Sequence, residues 1–450
     1  MDSSLRRELT LTHSTALVIS NMIGTGIFTT TGFLMANLGR PWWVMGVWAT
    51  GAVVAIAGCL TYAELGINFP RSGAEYVYLR EAWGGAWGFL SGWISFFAGF
   101  SAPIAATALA FASYLGSFSP ALLPGQLQVR LAGLHIGPGE GVAILLVALM
   151  GCINILSVRS AADLQNVLTG IKLGVLLAFL TFAWVSGKTY GSNWQKSVSG
   201  GSVHGLAAEF AISLVFVMFS YSGWNAAAYV AEEMKNVERV LPVSLAAGTG
   251  IVAILYLALN AVFITAVPPD RLKGQVDVGS IAAESLFGRA GGGVFSGMMA
   301  LALVSCVGAM VLVGPRVYYA MAQDKLFFTH AARLHPVWKT PANAIVWQTI
   351  VSILMLLTGS FESLIYYIGF ALILFAALAA AGLFRVRRRP GWKRLRVAGG
   401  WVPGAAGLFI VASIWMLVYT AALRPKEAFL GLLTIVSGGL VYRWRFREGS

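Results

Sequence analysis

The sequence predicts an all-α polytopic membrane protein of about twelve transmembrane helices, arranged as a five-plus-five inverted repeat whose first and sixth helices are discontinuous. Three observations predict it. Of the 450 residues, 58% are apolar and 11% charged, with a mean hydropathy of +0.75, far from the balance of a soluble domain. Apolar runs near the roughly 20 residues that a span requires recur along the whole chain. Two of those runs, the first and the sixth, carry glycine-centred interruptions at mid-length, where a helix gains least from glycine.

The runs place spans at 12–36, 43–69, 85–118, 139–157, 162–186, 206–233, 242–267, 291–322, 341–359, 361–384, 399–422 and 426–444. They form one transmembrane domain over 1–450, with 12–186 as the first repeat, 206–384 as the second and 399–444 as two additional helices. An even number of spans puts both termini on one side. Arg6, Arg7, Arg71, Arg80, Arg159, Lys235, Arg239, Arg316, Lys325, Arg333, Lys339, the tract Arg385 to Arg396 and the tail Arg443 to Arg447 fall on that side, so the positive-inside rule makes it cytoplasmic. The chain is expected in the cell membrane. No cleavable signal peptide is expected, because the start lacks a short apolar core ending at a small-residue site.

The net charge of +13 does not point to nucleic acid, since it sits in short loops beside spans and no soluble basic domain remains to carry it. The tract Arg385 to Arg396 suits a topology signal and contact with anionic lipid head groups. Cys59, Cys152 and Cys306 lie inside predicted helices without paired spacing, which excludes a disulfide framework and suits packing. The five histidines are scattered over termini and loops. No metal site, cofactor or catalytic residue is expected, and a membrane-embedded enzyme would need clustered His, Asp or Glu that the spans lack.

The first interruption is Gly24-Thr25-Gly26 in "SNMIGTGIFTTTG". Two glycines two apart point to different sides of a helix, so they do not form the single close-packing face that a spacing of four gives. The motif predicts a broken backbone. A break persists in a bilayer only where its N–H and C=O groups meet protein, water or ligand. The second is "FSYSGWN", Phe219 to Asn225, in the sixth run. Matched breaks in the leading helices of two five-span blocks mark the binding site of an inverted-repeat transporter. After the first break, N–H groups near Thr25, Gly26 and Ile27 open a new helix that favours an anion. Carbonyls at Met22, Ile23, Phe219, Ser220 and Ser222 suit an ammonium group. An anion site beside a cation site fits a zwitterionic α-amino acid.

Lys172 lies about ten residues, or roughly 15 Å, into the fifth span. A charge at that depth is a functional-site hypothesis by default. Three roles are open to it: a proton carrier, a fixed ammonium in place of a bound sodium ion, or a structural lysine tied to carbonyls of neighbouring helices.

Five segments, "IGTGIF", "YAELGINFPRSGAEYVYLREAWG", "FSYSGWNAAAYVAEEMKN", "GPRVYYAMAQDKLFF" and "HPVWKTPANAIVWQ", together resemble the amino acid–polyamine–organocation transporter superfamily, in its L-type amino acid transporter branch and bacterial form. The resemblance runs from about Ser14 to Arg389. It implies a secondary transporter of neutral L-amino acids working by sodium-independent exchange, with proton-coupled symport as the alternative and a sensor or channel on the same scaffold behind it. It implies that Gly24, Thr25 and Gly26 hold the substrate carboxylate, and that Phe219 closes over the substrate. It further implies that Ser220 and Ser222, beside Gly223, offer carbonyls to the amine, that Asn225 lines the pocket, and that Lys172 replaces a sodium site. Relatives often carry two glycines before the Trp-Asn pair, whereas here the first is Ser222. Ala371, Leu372 and Ile373 stand where some large-substrate relatives carry aromatic or amide groups. The loop from Ser119 to Pro138 has no cysteine, so the disulfide-linked ancillary subunit of animal relatives is not expected. The partners are the substrate and the lipid bilayer.

Glu64, Arg71 and Glu75 are expected to organise the end of the second span and its loop, and Glu232 and Glu233 to pair with Lys235 and Arg239 at the interface.

Overall fold

The computed structural model describes residues 9–71, 73–119, 121, 129–131, 134–156, 158–186, 191–198, 204–323, 325–338, 340–395 and 400–445. Arg6, Arg7, Lys339, Arg396, Arg447 and half of the 119–138 loop lie outside the described residues, as do the side chains of Arg159, Glu233 and Arg316.

The chain is a helical membrane protein. Its first span is two helices, α1 (Leu11–Met22) and α2 (Gly26–Leu38), bent by 44° at the break. Gly39, at φ +67, ends α2 in the left-handed conformation, and Pro41 begins α3 (Pro41–Asn68), so a left-handed residue and a proline make the tight turn between spans. The third span joins α5 (Gly85–Ile94) to α6 (Ala102–Phe118) through a π-helical turn, Ser95–Ser101, and is preceded by the short helix α4 (Glu75–Trp83). Strands β1 (Val129–Leu131) and β2 (Leu134–Ile136) pair antiparallel ahead of α7 (Pro138–Leu156). Helix α8 (Val158–Ser186) is the fifth span, and α9 (Leu206–Ser220) opens the sixth.

The remaining helices are α10 (Val237–Ala266), α11 (Pro269–Leu272), α12 (Val278–Gln323), α13 (Ala342–Thr358), α14 (Phe361–Val386), α15 (Val402–Leu423) and α16 (Pro425–Arg445). Among the described residues seven helices are long and apolar enough to cross a membrane, and the bent first pair makes eight. Gly170–Ser186, Leu206–Ser220 and Ala342–Thr358 are shorter apolar helices. With α16 these account for the twelve apolar runs.

Boundaries differ from expectation in three places. Helix α10 begins five residues before Pro242, because the Asn236 side chain accepts from Arg239 N at 3.3 Å and caps an earlier start. Helix α12 begins at Val278 and turns sharply at Gly288, φ +76, so a helix outside the apolar run precedes the eighth span. The sixth span does not resume as an α-helix after its break: Ala226–Glu233 is a 3-10 helix, distorted at Val230.

Lipid is as apolar as leucine, so span association depends on close packing and internal polar contacts. Val18 of α1 lies where a Cβ on Gly248 of α10 would stand, at 2.7 Å. Where α3 ends, the fully buried Glu64 carboxylate pairs with Arg387 Nε at 2.8 Å and accepts from Trp392 Nε1 at 3.0 Å and Leu395 N at 3.2 Å. Asn68 exchanges two 2.8 Å hydrogen bonds with the backbone of Lys393, whose ammonium reaches Glu238 at 2.6 Å. Arg389 binds Glu81. The basic tract thus ties α14 to α3, α4 and α10, with Arg388 and Arg394 left exposed.

Candidate functional site

The two broken spans lie against one another and run antiparallel. Thr30 faces Ser220, Phe33 stacks on Phe216 at 5.2 Å, and Asn37 faces Ser213, so rising positions on α2 meet falling positions on α9. Beyond the breaks the same order continues, from Asn21 beside Gly223 to Leu9 bridged with Met234. The breaks therefore stand at one level.

The glycines divide the labour. A Cβ on Gly26 would meet Ser220 atoms at 2.4 to 2.6 Å, so Gly26 is where the two spans touch. The expectation that packing explains this motif poorly is corrected at that position, because the partner is the other break rather than a neighbouring helix face. Gly24 has only the Met22 carbonyl within 4 Å of its Cβ position, at 3.9 Å, and so borders open space. Gly223 holds φ +95 with a Cβ position 2.9 Å from the Asn21 backbone, a conformation and a space that only glycine fits. Ser222 is not among the positive-φ residues, so serine is tolerated there.

The carbonyls at the breaks already carry donors. Tyr256 Oη of α10 lies 2.6 Å from Met22 O and 3.2 Å from Ser220 O, linking both breaks through one phenol. Lys172 Nζ, on a side chain that is 2% exposed, donates to Ile23 O at 2.6 Å and lies 3.9 Å from Cys306 Sγ of α12. Phe219 O accepts from Ser222 N at 3.0 Å. Phe219 O also accepts from the Tyr221 N–H that ends α9, so its two lone pairs are taken, whereas Met22, Ile23 and Ser220 each keep acceptor capacity.

The N–H side is less occupied. Thr25 precedes the first turn of α2 and makes no side-chain cap; its hydroxyl instead contacts Thr107 Oγ1 of α6 at 2.8 Å. In the first turn of α2, Phe28 N donates to Thr25 O at 3.1 Å, while a helix start leaves its leading N–H groups, here those of Gly26 and Ile27, without an intrahelical acceptor, and the positive end of the helix dipole there suits an anion. The Asn225 amide donates to Glu75 Oε1 at 3.1 Å. Phe219 is half-buried.

Sequence reasoning missed Tyr256, Thr107 and the reach of Glu75. The first two are polar residues within apolar runs, a signal present in the sequence but shared with several neighbours such as Thr249 and Ser101. That Glu75 contacts the sixth-span break has no sequence signal, since 150 residues separate it from Asn225. Glu64 acts as expected, organising the end of the second span.

Residues 9–438 match the family model described as amino acid permease. The chain belongs to the amino acid permease family. This permease is 28% identical over 446 residues to a serine/threonine exchanger of Bacillus subtilis, covering 98% of this chain and 97% of that one. It is 27% identical to the human large neutral amino acids transporter small subunit 2, over 98% of this chain and 80% of that protein. It is 26% identical to the human cystine/glutamate transporter, over 97% and 85%. The permease is a multi-pass amino acid transporter and not an enzyme.

Proposed function

We propose that the permease exchanges neutral L-amino acids across the plasma membrane without sodium, by alternating access around the paired breaks. The observation that carries this reading is the Lys172 ammonium on the Ile23 carbonyl at the first break: a fixed positive charge stands where a coupling cation would be drawn to break carbonyls. The carboxylate is received by N–H groups at Thr25, Gly26 and Ile27. The amine is received by the spare acceptor capacity of Met22, Ile23 and Ser220, with Ser222 and Asn225 lining the space and Phe219 closing it. The similarity to an exchanger named for serine and threonine supports small neutral substrates, as do Ala371, Leu372 and Ile373 on α14.

The spans over 12–186 and 206–384 form the two inverted repeats of this reading, with 399–444 added to them. Both termini are cytoplasmic, and no disulfide-linked subunit is required. The α2/α9 half then faces outward. There Phe33 stacks between Phe216 and Phe361, at 5.2 and 5.8 Å, and Phe216 meets Tyr366 edge-on at 4.9 Å. This aromatic plug seals the outer route. Asn21, exposed beside the sixth-span break, marks the inner one.

Uptake of labelled neutral amino acids into proteoliposomes, loaded with unlabelled amino acid or with buffer at low sodium, tests the reading. Uptake confined to loaded vesicles is the expected result. Accumulation in buffer-filled vesicles under an inward proton gradient would replace exchange by proton symport.

A further inference from the structure

Glu75 begins α4, in the connection between the second and third spans, yet its side chain reaches the sixth-span break. Its Oε1 accepts from the Tyr62 phenol of α3 at 2.7 Å and from the Asn225 amide at 3.1 Å. Two spans and the connecting helix meet on one carboxyl oxygen. The backbone is fixed to match: Gly73 N donates to Tyr229 O at 3.3 Å, and Ala74 holds φ +37, a left-handed conformation that strains a non-glycine residue.

Among the described residues, the titratable groups facing this carboxyl are phenols: Tyr62 from α3, Tyr78 from α4 and Tyr229 from the 3-10 segment. Neighbouring charges are directed elsewhere. Arg80 lies over the Tyr76 ring and pairs with Glu81, and Arg71 is exposed. Among the described residues no cation forms an ion pair with Glu75. Burial pushes the carboxyl above its ordinary range, outweighing the opposing pull of the bonds from Tyr62 and Asn225.

We propose that Glu75 is a proton-responsive positioning residue that holds the sixth-span break, through Asn225, in its substrate-ready shape and releases it on ionisation. The inference rests on the transport reading above and adds regulation to the same site. A neutral carboxyl accepts both hydrogen bonds on its carbonyl oxygen and sits among phenols in this half-buried position at little cost. An ionised one without a cation there must draw in water or swing out, and either loosens Asn225. By linkage, a conformation in which a group binds its proton more tightly is favoured by protonation. The proton exchanges with water, and no covalent bond changes.

The test is amino acid exchange by reconstituted protein across a pH series. Wild-type exchange is expected to fall as pH rises through the Glu75 range. Glu75→Gln keeps an acceptor oxygen and cannot ionise, so it is expected to be active with a flat profile. Tyr62→Phe removes a bond that favours the ionised form and is expected to move the midpoint to higher pH. Glu75→Gln with the wild-type profile, or an unmoved midpoint in Tyr62→Phe, overturns the proposal. An infrared difference titration of the purified protein separates it from the transport reading. A carboxyl band lost on alkalinisation in wild type and absent in Glu75→Gln supports the titration even if wild type moves no amino acid; the same band in both proteins overturns it.

Discussion

Single atoms set the breaks apart from ordinary helix. Gly26 and Gly24 are two residues apart and do different work, so their alanine variants should separate. Gly26→Ala drives a methyl group into Ser220 and should destabilise the protein by about 1–3 kcal/mol, read as a lower apparent Tm. Gly24→Ala should leave Tm near wild type and weaken substrate binding, because its methyl group enters the open space beside the break. Equal loss of Tm in both variants would refute this division. Lys172→Ala leaves the Ile23 carbonyl without its donor, a loss of about 1–3 kcal/mol, so exchange should fall roughly ten- to hundredfold; unchanged exchange would remove Lys172 from the site. The sign at Glu75 follows from its raised carboxyl. Its stabilising contribution is full below the ordinary carboxylate range and is lost as pH rises through its raised value. Wild type should therefore lose more Tm than Glu75→Gln over that interval.

Helices and loops decide how the breaks are held. The sixth span enters as an α-helix and leaves as a 3-10 segment, a form with poorer hydrogen-bond geometry that is used in short pieces. That half is braced from outside, by Glu75 on Asn225, Gly73 on Tyr229 O and Leu9 on Met234. The tract after α14 acts at the same end of the molecule. An ion pair from Arg387 and two N–H donors converge on buried Glu64, and breaking a buried ion pair by removing one partner costs about 3–5 kcal/mol. Arg387→Ala should therefore lower the apparent Tm markedly, while Arg388→Ala, at an exposed position beside it, should not. Similar melting of both would show that the tract acts through its charge alone.

For the molecule as a whole, the two broken spans are one antiparallel unit with an aromatic plug beyond the break on one half and a β-bridge at the far end of the other. In the proposed alternating access, the plug and the bridge open in turn. Phe33→Ala removes the ring shared by Phe216 and Phe361. It should raise labelling of a cysteine introduced near the break by a membrane-impermeant thiol reagent added from outside, in a background without Cys59, Cys152 and Cys306. Unchanged labelling would place the outer seal elsewhere.

The number and order of the spans and the two breaks were legible in the sequence, because bilayer thickness fixes span length and hydrocarbon penalises backbone interruptions wherever they fall. Gly223 was named in the sequence as part of the second break, and the structure adds that its left-handed backbone demands glycine. What the chain order could not convey is which groups meet. Tyr256 spans both breaks, Gly26 packs on Ser220, Lys172 lands on Ile23 and Glu75 on Asn225 only because helices distant in sequence are brought side by side. The 3-10 form of the sixth span belongs to the tertiary structure as well, since the bracing that holds it comes from the chain start and the loop before α4. Hydropathy is a property of each residue with its solvent and can be read one position at a time; hydrogen bonds and close packing are properties of pairs, and the fold alone chooses the pairs.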